Sequence, residues 1–591
     1  MVNRLSRTPR RPLRHKAGTV ADRTPLVPGD GAAGAPFPRP APARAGGAEP
    51  SVARREFALT ISKTVETCGE ATVVGENAPQ ADNAAPTSGS SARFSSLGFK
   101  GRSKSMSQTT RKGAGPVVAT LLASTVLTTV TLAPAVAQTP PPAANPRAAP
   151  AAPVAPVRVA LRPDQADLLR RTLEAAPSHG FAPGEFAARG DSPEALLDAT
   201  VRYARAVKTG RLEIANFRED WGLRPTPFDA RGGLNRAIAD DRLEQWLKSL
   251  PPPYPGYETL QDGLAAYRAI AERGGWLSLT GDGKLEVGAT GPAVEALRAR
   301  LAAEDPTTPA QAAQDANGQP LFDAALAESV KRAQKRMGLQ PDGVVGPGTR
   351  AAFNTPVNRR IDQIVANMER WRWLPAALPA DRVQVNVAAG VLTLFKQDQP
   401  TLSMRAVTGK PGGGETPLLA SEIHSVVLNP PWNVPSSIAS RELFPKGQAY
   451  LAAHNFRVID GRLQQRPGPG SALGLIKFDF NNPYAVYLHD TPSKGGFSRY
   501  TRLASHGCVR LEKPMALARA LMEGDPTWTP EAIEDTIAGG KTTRAAVARP
   551  VAVYLLYWTA YVTPDGQVNF RQDPYGWDAL LIQRIAAQGS V

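Results

Sequence analysis

The spacing of apolar residues changes near residue 380 of this 591-residue chain, and that change decides what the chain can fold into. Upstream, Leu196, Leu197, Thr200, Val201, Tyr203, Ala204 and Val207 recur near a 3.6-residue period. Asp191-Ser192-Pro193-Glu194 precedes the run as a helix start, and Gly210 follows it as a C-cap. Downstream, Val383, Val385 and Val387 alternate with polar residues, and Val391, Thr393 and Phe395 repeat the pattern after a turn at Gly390. Further strand-like runs cover 425–428, 475–480, 485–488 and 551–562, and the turn Thr563-Pro564-Asp565-Gly566 leads into Val568, Asn569 and Phe570. Pro514 to Met522 reads as a flanking helix. The expected fold class is multidomain α+β: helices before residue 380, a strand-rich mixed α/β domain after it. Residues 158–285 read as a helical scaffold with no cluster of reactive side chains, 357–379 as a helical connector, and 541–591 as C-terminal strands and a helix.

Composition separates the tail from the body. The net charge is +16, yet residues 1–105 alone carry 16 basic and 8 acidic residues, so half of the excess sits there. The basic character therefore argues weakly for nucleic-acid binding, and none is expected. That tail is Arg, Pro, Ala, Gly and Ser without sustained periodicity, and is expected to be disordered. Met106 then opens a second beginning. Arg111-Lys112 is a basic start, 116–132 is mostly apolar, and Ala135-Val136-Ala137 is an A-x-A cleavage site. We read 106–137 as a signal peptide and 1–105 as the product of a misassigned start codon, with an uncleaved inner-membrane anchor as the alternative. A Pro/Ala linker, 138–157, follows. The mature chain is expected in the periplasm, with no membrane span. Two cysteines, Cys68 and Cys508, exclude a disulfide scaffold, a Cys-only zinc site and an iron–sulfur cluster.

Residues 286–356 form a unit of their own. Val294, Leu297 and Leu301 make one helical face, and Phe322, Leu326, Val330, Ala333 and Met337 a second. The stretch from Gly338 to Thr349, with its Asp342-Gly343 and Gly346-Pro347 steps, demands tight turns. It resembles the small three-helix peptidoglycan-binding domain, with a long Ala/Gln/Asp-rich insertion (304–319) and Val345 as departures. The resemblance implies glycan strands as a partner through 286–356; the alternative is a helical spacer that binds nothing.

Reactive side chains concentrate between Tyr484 and Arg510. His489 ends an apolar run, and Ser505-His506-Gly507-Cys508 follows a loop of Gly, Ser and Arg. A thiol needs a neighbouring base to react near neutral pH, and its tetrahedral intermediate needs backbone N–H donors. Gly507 admits close backbone approach, and Arg510 brings positive charge that lowers a thiol pKa or holds a carboxylate.

His489 followed by Ser505-His506-Gly507-Cys508-Val509-Arg510 resembles the signature of L,D-transpeptidases with a YkuD-type catalytic domain. The stretches 367–375, 429–435, 473–478 and 488–492 resemble the large YcbB-like class, with Ser471 where that class usually has Asn. This resemblance implies a catalytic domain over 380–540, with an insertion, 432–473, lying as a lid over the cleft. It implies Cys508 as nucleophile, His489 as base and acid, and the Asp490 carbonyl as its orienter. The Gly507 and Cys508 amides would form an oxyanion hole. Ser505 and His506 would shape the pocket, Arg510 would steer substrate, and Tyr487 would contact it. The implied substrates are peptidoglycan stem tetrapeptides, joined through diaminopimelate residues by way of a cysteine acyl-enzyme, with no metal or other cofactor and with carbapenems as acylating inhibitors.

Three alternatives compete. A same-fold L,D-carboxypeptidase or peptidoglycan amide hydrolase would use water as acceptor. A zinc peptidase would use His489, His506 and Cys508 as ligands. A non-catalytic wall-binding protein would rest on 286–356 alone. His424 and His454 earn no role.

Overall fold

The structure is a computed structural model that describes residues 160–563 and 565–588. The tail, the signal segment, most of the linker, Cys68 and Pro564 lie outside the described residues.

Helices dominate up to residue 371: α1 Pro163–Glu174, α2 Pro193–Thr209, α3 Ala230–Ala239, α4 Leu243–Lys248 and α5 Pro255–Glu272. The α2 signals act as expected. The Ser192 hydroxyl accepts from the Ala195 amide at 3.1 Å, Pro193 opens the helix, and Gly210 ends it at φ +88°. Leu196, Leu197, Tyr203 and Val207 share one core with residues of α1, α3 and α4. The next helix, α5, belongs elsewhere: Tyr257, Leu260, Leu264 and Tyr267 enter the core beneath the large sheet.

The 286–356 unit contains α6 Pro292–Ala302, the short strands β1 Ala313–Gln314 and β2 Pro320–Leu321, then α7 Ala324–Arg336 and α8 Pro347–Phe353. Both expected apolar faces are buried together, joined by Val345 and Phe353. The Gln334 side chain pins the turn, accepting from the Gly343 amide and donating to Asp342 Oδ1 and the Val344 carbonyl, all within 2.9 Å. The side chain of Glu304, at the start of the expected insertion, is fully buried. It takes Arg300 at 2.6 Å, Arg336 at 3.0 Å and the hydroxyl of Tyr267 from α5 at 2.5 Å. Arg336 and Arg300 hold its carboxyl down to about 2, overcoming burial.

The connector is a core element. Helix α9, Val357–Trp371, buries Glu369 completely, where it accepts from the Arg211 and Leu212 amides at 2.6 and 3.1 Å and from Arg372 at 2.8 Å. Arg370 meets Asp578 at 2.5 Å. One helix thus ties the scaffold to the C-terminal helix, α13 Trp577–Gln588.

The sheet is built from β3 Arg382–Asn386, β4 Val391–Lys396, β5 Gln399–Gly409, β6 Leu419–Leu428, β10 Ile476–Phe480, β11 Leu488–His489, β12 Leu503–Ser505, β13 Val509–Leu511 and β14 Thr543–Leu556. Their order is β12-β5-β13-β11-β10-β6-β14-β3-β4, and β4 also pairs with β5, so eight strands close into a ring that carries β12 on β5. The boundary read at residue 540 cuts through this ring. β14 lies between β3 and β6, parallel to the first and antiparallel to the second, with an irregularity between Ala546 and Val551 around Pro550. Helices α11 Pro514–Leu521 and α12 Pro530–Ala538 connect into it, and β15 Ala560–Val562 pairs with β16 Val568–Phe570.

The 432–473 insertion has its own fold. Strands β7 Trp432–Asn433, β8 Phe456–Ile459 and β9 Arg462–Gln465 form a small sheet beside helical turns at 436–446 and α10 Gly447–Ala453. Val434, Ala439, Leu443, Leu451 and Leu463 make its core.

Candidate active site

Strand register assembles the site. β11 runs parallel to β13 with Leu488 opposite Val509 and His489 opposite Arg510, and antiparallel to β10 with His489 opposite Lys477. The Val509 amide donates to the Tyr487 carbonyl at 3.1 Å, which carries the pairing back one residue and sets Cys508 beside Tyr487. Alternation along a strand then puts Tyr487, His489, Cys508, Arg510 and Lys477 on one face.

His489 is buried, and its Nδ1 lies 2.5 Å from the Asp490 carbonyl oxygen. A carbonyl only accepts, so Nδ1 carries the proton and Nε2 presents a lone pair. Burial first, then the Arg510 and Lys477 charges, push the imidazole down to about 3. The base is therefore neutral across the physiological range. Asp490 is held in turn: its Oδ2 accepts from the Leu475 amide at 2.9 Å and its Oδ1 meets Lys494 at 2.5 Å. Gly474, at φ +59°, packs so tightly on this carboxylate that a Cβ would come within 2.3 Å of Oδ2.

The Cys508 thiol is half-buried and free. Burial pushes it up from its ordinary value, while the Tyr487 amide and hydroxyl and the charges of Lys477 and Arg510 pull the other way. Tyr487 touches both partners: its ring packs edge-on to the imidazole at 5.5 Å, and its hydroxyl faces the thiol and the Trp432 indole. Lys477 Nζ lies 4.3 Å from the centre of the same ring and pairs with Asp479 at 2.6 Å. Arg510 Nε is buried without a hydrogen-bond partner among the described residues.

The turn before the cysteine is fixed by Ser505 and Thr416. Ser505 Oγ donates to the Cys508 carbonyl at 2.5 Å and accepts from the Gly507 amide at 3.2 Å. Thr416 Oγ1 donates to the Gly507 carbonyl and accepts from the Gly409 amide, both at 2.8 Å. Gly507 sits at φ +110°, which excludes a side chain there. Its amide is engaged by Ser505, so it differs from the oxyanion donor expected from the sequence; the Cys508 amide makes no hydrogen bond among the described residues.

His506 stands apart. It is partly exposed and points to the insertion, with Nε2 at 2.7 Å from Glu442 and 3.4 Å from Lys410 Nζ. A zinc site of His489, His506 and Cys508 therefore lacks a converging geometry, and no group of three His, Cys, Asp or Glu side chains is placed to hold an ion among the described residues. Sequence reading assigned no role to Lys477, Thr416, Trp432 or Glu442. Only Lys477 and Trp432 carried a signal, as members of the stretches at 473–478 and 429–435. No helix of the described residues is long and apolar enough to cross a membrane.

Residues 380–528 match the L,D-transpeptidase catalytic domain of the YkuD family, 161–264 a family described as "Scaffold domain", and 290–353 one described as "Putative peptidoglycan binding domain". A curated relative from Haemophilus influenzae, named "Putative L,D-transpeptidase", is 32% identical over 240 residues, 36% of this chain and 48% of the relative. The match thus spans about half of that relative's length. Among solved structures, an L,D-transpeptidase from Xylanimonas cellulosilytica aligns at 18% identity over 47% of this chain and 99% of its own, with a TM-score of 0.17. One from Mycobacterium smegmatis aligns at 16% identity over 30% and 58%, with a TM-score of 0.18. By the family matches, residues 380–528 carry an L,D-transpeptidase catalytic domain, preceded by a unit of the peptidoglycan-binding type.

Proposed function

We propose that this protein is a cysteine-dependent L,D-transpeptidase that links peptidoglycan stem peptides through their diaminopimelate residues. The observation that supports it most is the His489 hydrogen bond to the Asp490 carbonyl, which fixes a neutral imidazole with a free Nε2 on the face that carries Cys508.

Nε2 removes the Sγ proton as sulfur attacks the carbonyl carbon of the third stem residue. The Cys508 amide donates to the developing oxyanion, and Gly507 sets the peptide that aims it. The C–N bond to the terminal D-alanine breaks, and the proton on Nε2 passes to the departing amine. A second stem's side-chain amine then attacks the thioester and gives its proton to Nε2. Sulfur leaves and takes that proton back, so enzyme and base are restored. Arg510 offers its guanidinium to a donor carboxylate, and Tyr487 holds the thiol beside the imidazole. Ser505 braces the turn, and His506 carries the contact with the insertion. No metal or other cofactor enters these steps.

The folded 432–473 insertion acts as a lid in this reading. Glu442 meets His506 on the cysteine loop and Trp432 meets Tyr487, so the subdomain is fastened at two points around the thiol. Exclusion of water there favours an amine acceptor over hydrolysis. The working compartment is the periplasm, reached through the segment 106–137, and carbapenems acylate Cys508. Purified residues 138–591 incubated with a disaccharide-tetrapeptide test the proposal: cross-linked dimer plus free D-alanine supports it, D-alanine release with water as sole acceptor indicates the carboxypeptidase, and unchanged product after Cys508→Ala refutes it.

A further inference from the structure

We propose that a groove on the helical scaffold, remote in sequence from both the cysteine loop and the 290–353 unit, binds the sugar backbone of peptidoglycan. The proposal rests on the substrate class inferred above. Phe228, just before α3, and Trp246 on α4 lie half-exposed with ring centres 6.4 Å apart and planes inclined by only 20°. Together with Asp229, Gly233, Arg236 and Gln245 they line a groove of about 450 Å³. That is the size of a site for a small chain of sugar rings. Gly233 is needed for its shape, because a Cβ there would come within 2.9 Å of Trp246 Nε1.

The chemistry of the lining narrows the occupant. A pyranose ring has a face of C–H groups that stacks on aromatic surface and a rim of hydroxyl and acetamido groups that needs planar polar partners. The two near-parallel rings provide the first. Asp229, Arg236 and Gln245 provide the second; the Gln245 side-chain carboxamide and the Trp246 indole N–H make no hydrogen bond among the described residues. Charge balances locally: Arg242 pairs with Asp240 at 2.7 Å and Arg236 faces Asp229 at 3.7 Å. A phosphate backbone or an anionic lipid surface would call for excess positive charge. A balanced, polar-rimmed aromatic floor fits a neutral polar polymer.

The groove also continues. Phe228 lines a second cavity of about 250 Å³ with Pro227, Pro252, Pro253 and Pro375, ending at residues 372–376 just ahead of β3. A chain of sugars lying along both would span from α3 to the segment at 372–376.

The probe is an N-acetylglucosamine tetramer, which carries the repeating sugar and no stem peptide, titrated into the full chain by calorimetry and ligand-observed NMR. The expected result is saturable binding that weakens at least tenfold in Trp246→Ala and stays within about threefold in Trp246→Phe, which keeps the ring. Turnover of a soluble disaccharide-tetrapeptide should be unchanged in both variants, while cross-linking of intact sacculi slows in Trp246→Ala. Failure of wild-type protein to turn over the soluble stem would overturn the transpeptidase reading, not the groove. Absent tetramer binding, or binding equal in wild type and Trp246→Ala, overturns the groove. So does capture of a peptide of residues 139–150 at Trp246 in place of the sugar, which would assign the site to this chain's own proline-rich segment. Should Trp246→Ala fail to fold, Gln245→Ala, exposed on α4, carries the test with a loss of about threefold.

Discussion

Titrating the reactivity of Cys508 distinguishes a neutral thiol–imidazole pair from a preformed ion pair. Burial raises the thiol above its ordinary value of 9.0 and drives the imidazole down to about 3, so both shifts disfavour thiolate beside imidazolium. With the thiol pKa above that value, the thiolate fraction at pH 7 is less than about 1%, and it rises about tenfold per pH unit. Iodoacetamide should therefore alkylate Cys508 about 100-fold faster at pH 8 than at pH 6. Cys508 falls in the tryptic peptide Leu503–Arg510 and Cys68 in another, so mass spectrometry follows the two separately. Arg510→Gln removes a charge that favours the thiolate, so its profile should shift to higher pH. A flat rate between pH 5 and 8 in the wild type would show a standing thiolate–imidazolium pair and refute the reasoning, because the register that flanks His489 with Lys477 and Arg510 would then not govern its charge.

Other consequences follow from the same contacts. The depressed His489 pKa means that the unfolded chain takes up a proton below 6.5 while the folded chain does not, so stability falls as pH drops from 6.5 toward 3. Between pH 7 and 5 this amounts to at most about 2 kcal/mol, read as a urea midpoint shift that His489→Gln should lack. Glu369→Gln leaves Arg372 and two amides facing a weaker acceptor inside the core, and should cost about 3–5 kcal/mol in thermal or denaturant unfolding. Glu442→Ala releases one of the two lid contacts, and the ratio of cross-linked dimer to hydrolysed tripeptide should fall severalfold while donor consumption persists; an unchanged ratio would remove the lid from the account.

Much of this was legible in the sequence because it is local. The α2 cap, the apolar faces of α6 and α7 and the pairing of β3 with β4 across the Gly390 turn are set by neighbours a few residues apart, and the structure shows each; the alternation read in β3 and β4 does not become a solvent face, because both strands are buried on both sides, Arg382 and Gln384 included. The chemical side chains were visible because Cys508 and its neighbours lie within one loop and His489 ends an apolar run. Long-range pairing was not visible. The strand with Pro550 looked like the start of an appendage, yet it fills the gap between β3 and β6, its register slipping around the proline. Glu304 read as part of a polar insertion, and Glu369 as one residue in a stretch without an assigned role; both are buried ions that add distant partners to a near one, Arg336 and Tyr267 for Glu304 and the 211–212 amides for Glu369. Gly507 shows the same limit. Its type and positive φ agree with a tight catalytic turn, but only the position of Ser505 reveals that its amide is already engaged. The contact between Glu442 and His506 spans 64 residues, and no periodicity announces it.

The central claim is that the Cys508 sulfur becomes an acyl carrier because His489 takes its proton. Intact-mass analysis of the protein mixed with a stem tetrapeptide and quenched within seconds tests this most directly. The account predicts an adduct equal to the donor less D-alanine, localised to Leu503–Arg510, absent in Cys508→Ala and formed at least 100-fold more slowly in His489→Gln. Release of D-alanine without any adduct on that peptide, or equal adduct formation in His489→Gln, would contradict it.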